Sequence, residues 1–109
     1  MTSFNRFTVL PGTDGMTFEE AVSQLSGWHF AQEGMSPDGR RILNVGELFL
    51  WVLDPESYWF DASDFDLNEY LEQLDHWCTR RDSLESDAQE VLGVAEGLAQ
   101  LIKNRDSAA

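Results

Sequence analysis

The chain has 109 residues, 20 acidic against 7 Lys and Arg side chains, and a formal net charge of −13. That length holds one domain, residues 1–109, and 42% hydrophobic with 12% aromatic content supplies a single modest core, which argues against a disordered chain. The charge argues against direct binding to nucleic acid or to an anionic membrane, because affinity for both comes from Lys and Arg.

The opening MTSFNRFTVLPG has no long apolar run before Pro11, so no secretory leader is expected. Ser3–Leu10 is rich in Phe, Thr and Val and stops at Pro11-Gly12, which reads as a strand. Thr17 then precedes FEEAVSQL with Glu20 three residues on, the capping-box pattern. Phe18, Ala21, Val22 and Leu25 follow at helical spacing, and Gly27 is expected to end a short helix. Trp28–Glu33 alternates large and polar residues and reads as a strand. Ser36-Pro37-Asp38-Gly39 reads as a turn, with Arg40–Val45 returning as the second strand of a hairpin and Gly46 marking a bulge or turn.

Glu47–Leu53 (ELFLWVL) is almost continuously apolar. Periodicity leaves strand and buried helix open there, while its length and the following Asp54-Pro55 favour a strand. The run is far short of the roughly 20 residues needed to span a bilayer. Tyr58–Phe60 reads as one more short strand. Beyond it Leu67, Tyr70, Leu71, Leu74, Trp77 and Cys78 gather on one face of a helix capped by Asp64 or Asp66. Glu69, Glu72, Asp75 and His76 fall on its opposite face. A last helix from Asp82 or Ser83 to about Lys103 carries Leu84, Ala88, Val91, Leu92, Ala95, Leu98, Ala99 and Ile102, and residues 105–109 are expected to fray. A short loop joins these two helices as an antiparallel hairpin. The expected fold class is therefore α+β, a small antiparallel sheet of three to five strands with one short N-terminal helix and a C-terminal helical hairpin.

Known site chemistries fail on spacing. Asp64, Asp66 and Asn68 match the first three ligand positions of a calcium-binding helix–loop–helix. Glu69 stands where the sharp turn needs Gly, and Asp75 where a bidentate Glu is needed. His76 and Cys78 lie about 160° apart around a helix, so they share neither a metal nor a nucleophile–base role. The acids should lie on a solvated face, where nothing pushes their pKa values apart for general acid–base work. No phosphate-binding loop, dinucleotide fingerprint or nucleophile elbow is present. No catalytic residue, metal or cofactor is expected. Cys78 stands alone, so no internal disulfide forms, which fits a reducing cytoplasm.

What remains is the distribution of charge. Ile42–Thr79 contains no Lys or Arg. Candidate partner-binding residues are Asp54, Glu56, Asp61, Asp64, Asp66, Glu69, Glu72 and Asp75, extended by Glu85, Asp87 and Glu90. Gly93 and Gly97 lie on the polar side of the last helix, opposite its core stripe, where each costs about 1 kcal/mol against Ala; a close approach by a partner backbone and plain tolerance by a helix held by its core are the two readings. Trp51, Tyr58, Trp59 and Phe60 cluster near the acids as anchors or core. In charge pattern the chain resembles small acidic inhibitors of phages and mobile elements, of the anti-CRISPR and anti-restriction type, that imitate nucleic acid. The resemblance implies a non-enzymatic inhibitor, monomeric or dimeric, whose partner is a basic nucleic-acid-binding effector or nuclease. An immunity protein against a nuclease toxin, or a dimeric cytosolic secretion chaperone, are the alternatives that composition leaves open.

Overall fold

The computed structural model describes residues 7–54 and 66–107 and is all-α over them, with four helices and no strand. Helix α1 spans Phe18–Phe30, α2 Pro37–Leu53, α3 Leu67–Thr79 and α4 Ser86–Ser107. Single 3₁₀ turns at Gln32–Gly34 and Arg81–Ser83 sit in the two described connections.

The α+β expectation is overturned. The segments read as strands at Arg40–Val45 and Glu47–Leu53 form one continuous helix, α2, that runs straight through Gly46. Ser36-Pro37-Asp38-Gly39 is its start rather than a hairpin turn. The Ser36 hydroxyl accepts a hydrogen bond from the Gly39 N–H at 3.1 Å, and Pro37 occupies the first helical position, where its missing N–H removes no helix bond. Trp28–Phe30 extends α1, and Gln32–Gly34 is a 3₁₀ turn, so the strand expected at Trp28–Glu33 does not form. Of Ser3–Leu10 the described part, residues 7–10, makes a lone antiparallel bridge, Val9 with Thr17. The strand expected at Tyr58–Phe60 lies outside the described residues.

Local chemistry sets the helix starts. At α1 the Thr17 hydroxyl accepts from the Glu20 N–H at 3.2 Å while the Glu20 carboxylate accepts from the Thr17 N–H at 3.1 Å, a complete capping box. Gly27 does not stop α1. The helix ends one turn later, where the Ala31 N–H donates back to the Gly27 and Trp28 carbonyls. At α3 the Asp66 carboxylate accepts from Asn68 and Glu69 N–H at 3.0 and 3.4 Å.

Helix α2 is the core of the molecule. Every residue from Val45 to Leu50 is buried, because α1, α3 and α4 all pack against it. Its main partner is α4. A Cβ on Gly46 would lie 3.6 Å from the Ala95 Cβ and 3.5 Å from Leu25, ordinary contact distances, so Gly46 faces both α4 and α1 at the centre of the core. Phe49, Ile42, Leu43 and Leu50 from α2 meet Val91, Leu92, Leu98 and Ile102 from α4, all essentially inaccessible to solvent. Helix α3 runs antiparallel to α4. Asp75 lies beside Lys103, and Arg81 just past the end of α3 pairs with Glu96.

Candidate functional site

Leu74 and Trp77 anchor α3 to the core, with Leu67, Tyr70, Leu71 and Cys78 packed at its margin. The amphipathic pattern therefore turns Glu69, Glu72, Asp75 and His76 outward, and all four are exposed. Glu69, Glu72, Gln73, His76 and the edge of Trp77 line a shallow groove along this face. His76 meets Trp77 edge-on at 6.4 Å between ring centroids, and the Arg80 guanidinium lies 5.3 Å from the Trp77 ring centre.

The ion pairs formed among the described residues leave this groove uncompensated. Arg41 faces Asp38 at 3.9 Å, Arg81 pairs with Glu96, and Lys103 reaches Asp75 at 4.0 Å. Glu69 and Glu72 pair with none of the described cations. Like charges one turn apart destabilise a helix by about 0.2–0.5 kcal/mol per pair, so the Glu69–Glu72–Asp75 row costs α3 stability.

The other described candidates do not join one wall. Asp54 caps α2 and is half-buried, and its N–H donates to Leu50. Glu85 is exposed in the connection before α4. Glu90 is exposed on the other seam of α4, beside Met16, Gln24, Trp28 and Val94. Glu56, Asp61 and Asp64 lie outside the described residues, as do Tyr58, Trp59 and Phe60. Asp66 is committed to capping α3.

Asp87 is an internal fastener. Its carboxylate accepts from the Ser36 N–H at 2.8 Å and from the Ser36 hydroxyl at 3.0 and 3.1 Å, tying the start of α4 to the start of α2. Burial works to raise its pKa, but hydrogen bonds from the Ser36 backbone and hydroxyl, and from the Ala88 and Asp87 N–H groups, outweigh it and hold the carboxyl below the usual value. Gly39 makes room for this junction, since a Cβ there would fall 2.5 Å from an Asp87 carboxylate oxygen.

Sequence reading missed a second polar feature. Glu47 is only 6% exposed, and its carboxylate lies 2.8 Å from Nδ1 of His29 across the α1–α2 interface. A helical reading would have shown it, because Leu43, Glu47 and Leu50 follow at a spacing that places them on one face. Cys78 is half-buried. Its thiol pKa is pushed up by burial, helped by the Asp75 carboxylate, against the lowering effects of Arg81 and Lys103.

Comparison of the chain with protein-family models, curated proteins and solved structures finds no match. Among the described residues no three His, Cys, Asp or Glu side chains are grouped to hold a metal ion. Among them, too, no helix is long and apolar enough to cross a membrane.

Gly97 fits neither a partner contact nor mere tolerance. A Cβ there would fall 2.9–3.2 Å from the side chain of the chain's own Leu10, so the close approach is internal. At Gly93 a Cβ would meet nothing within 4 Å, and the residue opens into a groove with Pro11, Gly12, Arg81, Glu96 and Gln100.

Proposed function

We propose that this chain is a non-enzymatic acidic inhibitor that binds a basic nucleic-acid-binding effector through the outer face of α3 and occludes its DNA or RNA channel. The observation that carries the reading is the pairing of Glu69 and Glu72, exposed and without a described cation, with the aromatic edge of Trp77 in one groove. Lys and Arg side chains that normally hold phosphates pair with these carboxylates, and the Trp77 edge offers apolar contact beside them.

Residues three apart on α3 are about 4.5 Å apart along its axis, against about 3.4 Å between phosphates along one DNA strand. The carboxylate row is sparser than a phosphate strand, and it engages part of a basic channel rather than copying a duplex. The proposed site is accordingly narrower than the full run of acids. Asp87 and Asp66 hold the fold, and Glu90 faces another seam. The proposed setting is the cytoplasm, where Cys78 remains a free thiol.

The test is capture of host proteins on the immobilised full-length chain, eluted with a salt gradient. A basic nucleic-acid-binding protein that elutes at moderate salt, and is displaced by its own DNA or RNA, supports the reading. Combined Glu69→Lys and Glu72→Lys substitution should abolish its capture, while Glu85→Lys with Glu90→Lys should leave most of it. Equal capture by the first pair and the native chain refutes a site on α3.

A further inference from the structure

The sequence contains two Asp-Gly steps, Asp14-Gly15 and Asp38-Gly39, and the structure places them in opposite environments. Asp14 and Gly15 are both exposed, in the turn between Leu10 and Met16. Gly15 has φ 84°, and a Cβ there would meet nothing within 4 Å, so no side chain packs against it. Its N–H makes one bond, to the Thr13 carbonyl two residues back at 2.8 Å, a small turn open to water. The Asp14 carboxylate has no hydrogen bond or ion pair with any described residue. Asp38-Gly39 is locked in the first turn of α2. There the Gly39 N–H donates to the Ser36 hydroxyl at 3.1 Å, the Asp87 carboxylate crowds the Gly39 Cα, and Arg41 faces the Asp38 carboxylate.

We infer that Asp14 is a site of spontaneous backbone isomerisation, converting to isoaspartate through a cyclic imide formed with Gly15, and that Asp38 is protected from the same reaction by α2. In the step, the Gly15 backbone nitrogen loses its proton and attacks Cγ of Asp14. The N–Cγ bond forms, the Cγ–OH bond breaks, and one water leaves. Water then adds to either imide carbonyl. Opening at Cγ restores aspartate, and opening at the main-chain carbonyl leaves isoaspartate of unchanged mass and charge. Glycine favours ring closure because no side chain obstructs the nitrogen, and the reacting segment must be free to turn its amide toward its neighbour's carboxyl. Helix α2 denies that freedom to Gly39, whose amide must first be released by local opening.

The product places an extra methylene in the main chain of a loop whose ends are tied by hydrogen bonds. The Leu10 N–H donates to the Met16 carbonyl at 2.8 Å, and the Thr13 hydroxyl donates to the Leu10 carbonyl at 2.6 Å. This loop seats Leu10 over Gly97 and leads into the Thr17 cap of α1. The inference is independent of any partner.

The test incubates the full chain at neutral pH and physiological temperature and maps peptides by mass spectrometry, with a protease that cuts before aspartate but not before isoaspartate. Isoaspartate should accumulate at Asp14 at least about tenfold faster than at Asp38, a difference set by local opening. In denaturant the Asp38 rate should rise toward that of Asp14. Asp14→Glu should remove the signal without changing the unfolding midpoint, and Asp14→Asn should react faster through the same ring, losing ammonia. An unmodified Asp14, equal rates at the two sites in the folded chain, or an Asp38 rate unmoved by denaturant overturns the inference.

Discussion

Two glycines one turn apart in α4 should respond to the same substitution with different signs. Alanine in place of a helical glycine gains about 0.8–1.0 kcal/mol of helix propensity. At Gly93 nothing lies within 4 Å of the new methyl group, so Gly93→Ala should stabilise the protein by about 1 kcal/mol. At Gly97 the methyl would lie 2.9 Å from Cδ2 of Leu10, 3.0 Å from its Cβ and 3.2 Å from its Cγ. Rotating the Leu10 side chain can move Cδ2 and Cγ but leaves the Cβ contact, because Cβ is fixed to the backbone. Leu10 is also fully buried, so backing away gives up packing. Overpacking of this kind costs about 1–3 kcal/mol. Set against the propensity gain, Gly97→Ala should fall between neutral and about 2 kcal/mol destabilising. Urea unfolding followed by far-ultraviolet circular dichroism measures both variants. The cycle is completed with Leu10→Ala, expected to cost about 2–5 kcal/mol by itself. In that background Gly97→Ala should cost less than in the native chain, because the Cγ and Cδ2 contacts are gone and only the contact with Cβ remains. If Gly97→Ala and Gly93→Ala stabilise equally in the native background, Leu10 is not seated on α4 and this account of Gly97 fails.

Four further outcomes follow from the same structure. Asp87→Ala should cost about 1.5–3 kcal/mol at neutral pH, the usual worth of hydrogen bonds to a charged group. Because the folded pKa of Asp87 is depressed, its contribution is present above the unfolded carboxylate value and fades as pH falls through the folded value, so the gap to Asp87→Ala should close below about pH 4 in urea titrations. Glu47→Ala should destabilise by about 1–3 kcal/mol, from the lost contact with His29 and the space left beneath it, and Glu47→Gln by less, since an amide can still meet the imidazole; thermal unfolding separates them. Cys78, half-buried with a raised pKa, should react with a thiol-specific disulfide reagent much more slowly at neutral pH than in denaturant, and a matching rate in both states would contradict its packing. Glu72→Lys should raise stability by a few tenths of a kcal/mol, because it replaces the two like-charge contacts with Glu69 and Asp75 by attractive ones, even as it weakens capture of the basic partner.

Much of the helical framework could be read locally, and the reason is the same in each case: one face of the element meets water. Thr17 and Glu20 announce α1 because a capping box needs only four residues. Helices α3 and α4 show their apolar stripes because Glu69, Glu72 and Asp75 on one, and Gln89, Glu96 and Gln100 on the other, alternate with buried positions at helical spacing. The outward row on α3, where the proposed site lies, follows from the same periodicity.

Helix α2 had no such contrast in its second half. Neighbours cover Val45 to Leu50 on every side, so burial removes the polar face that reveals a period. Its only periodic signal is the exposed set Pro37, Arg40, Arg41 and Asn44, in a stretch where Ser-Pro-Asp-Gly also matches a turn and Gly46 a break. Tertiary packing alone decided that Gly46 lies inside a continuous helix between α1 and α4, that Gly97 receives Leu10, and that the Asp87 carboxylate binds Ser36. Composition and local pattern determined the chain's strong negative charge, its caps and its outward carboxylates. Which of those carboxylates stay free depended on contacts between residues as distant as Ser36 and Asp87, or His29 and Glu47, and such pairings arise only when the helices meet.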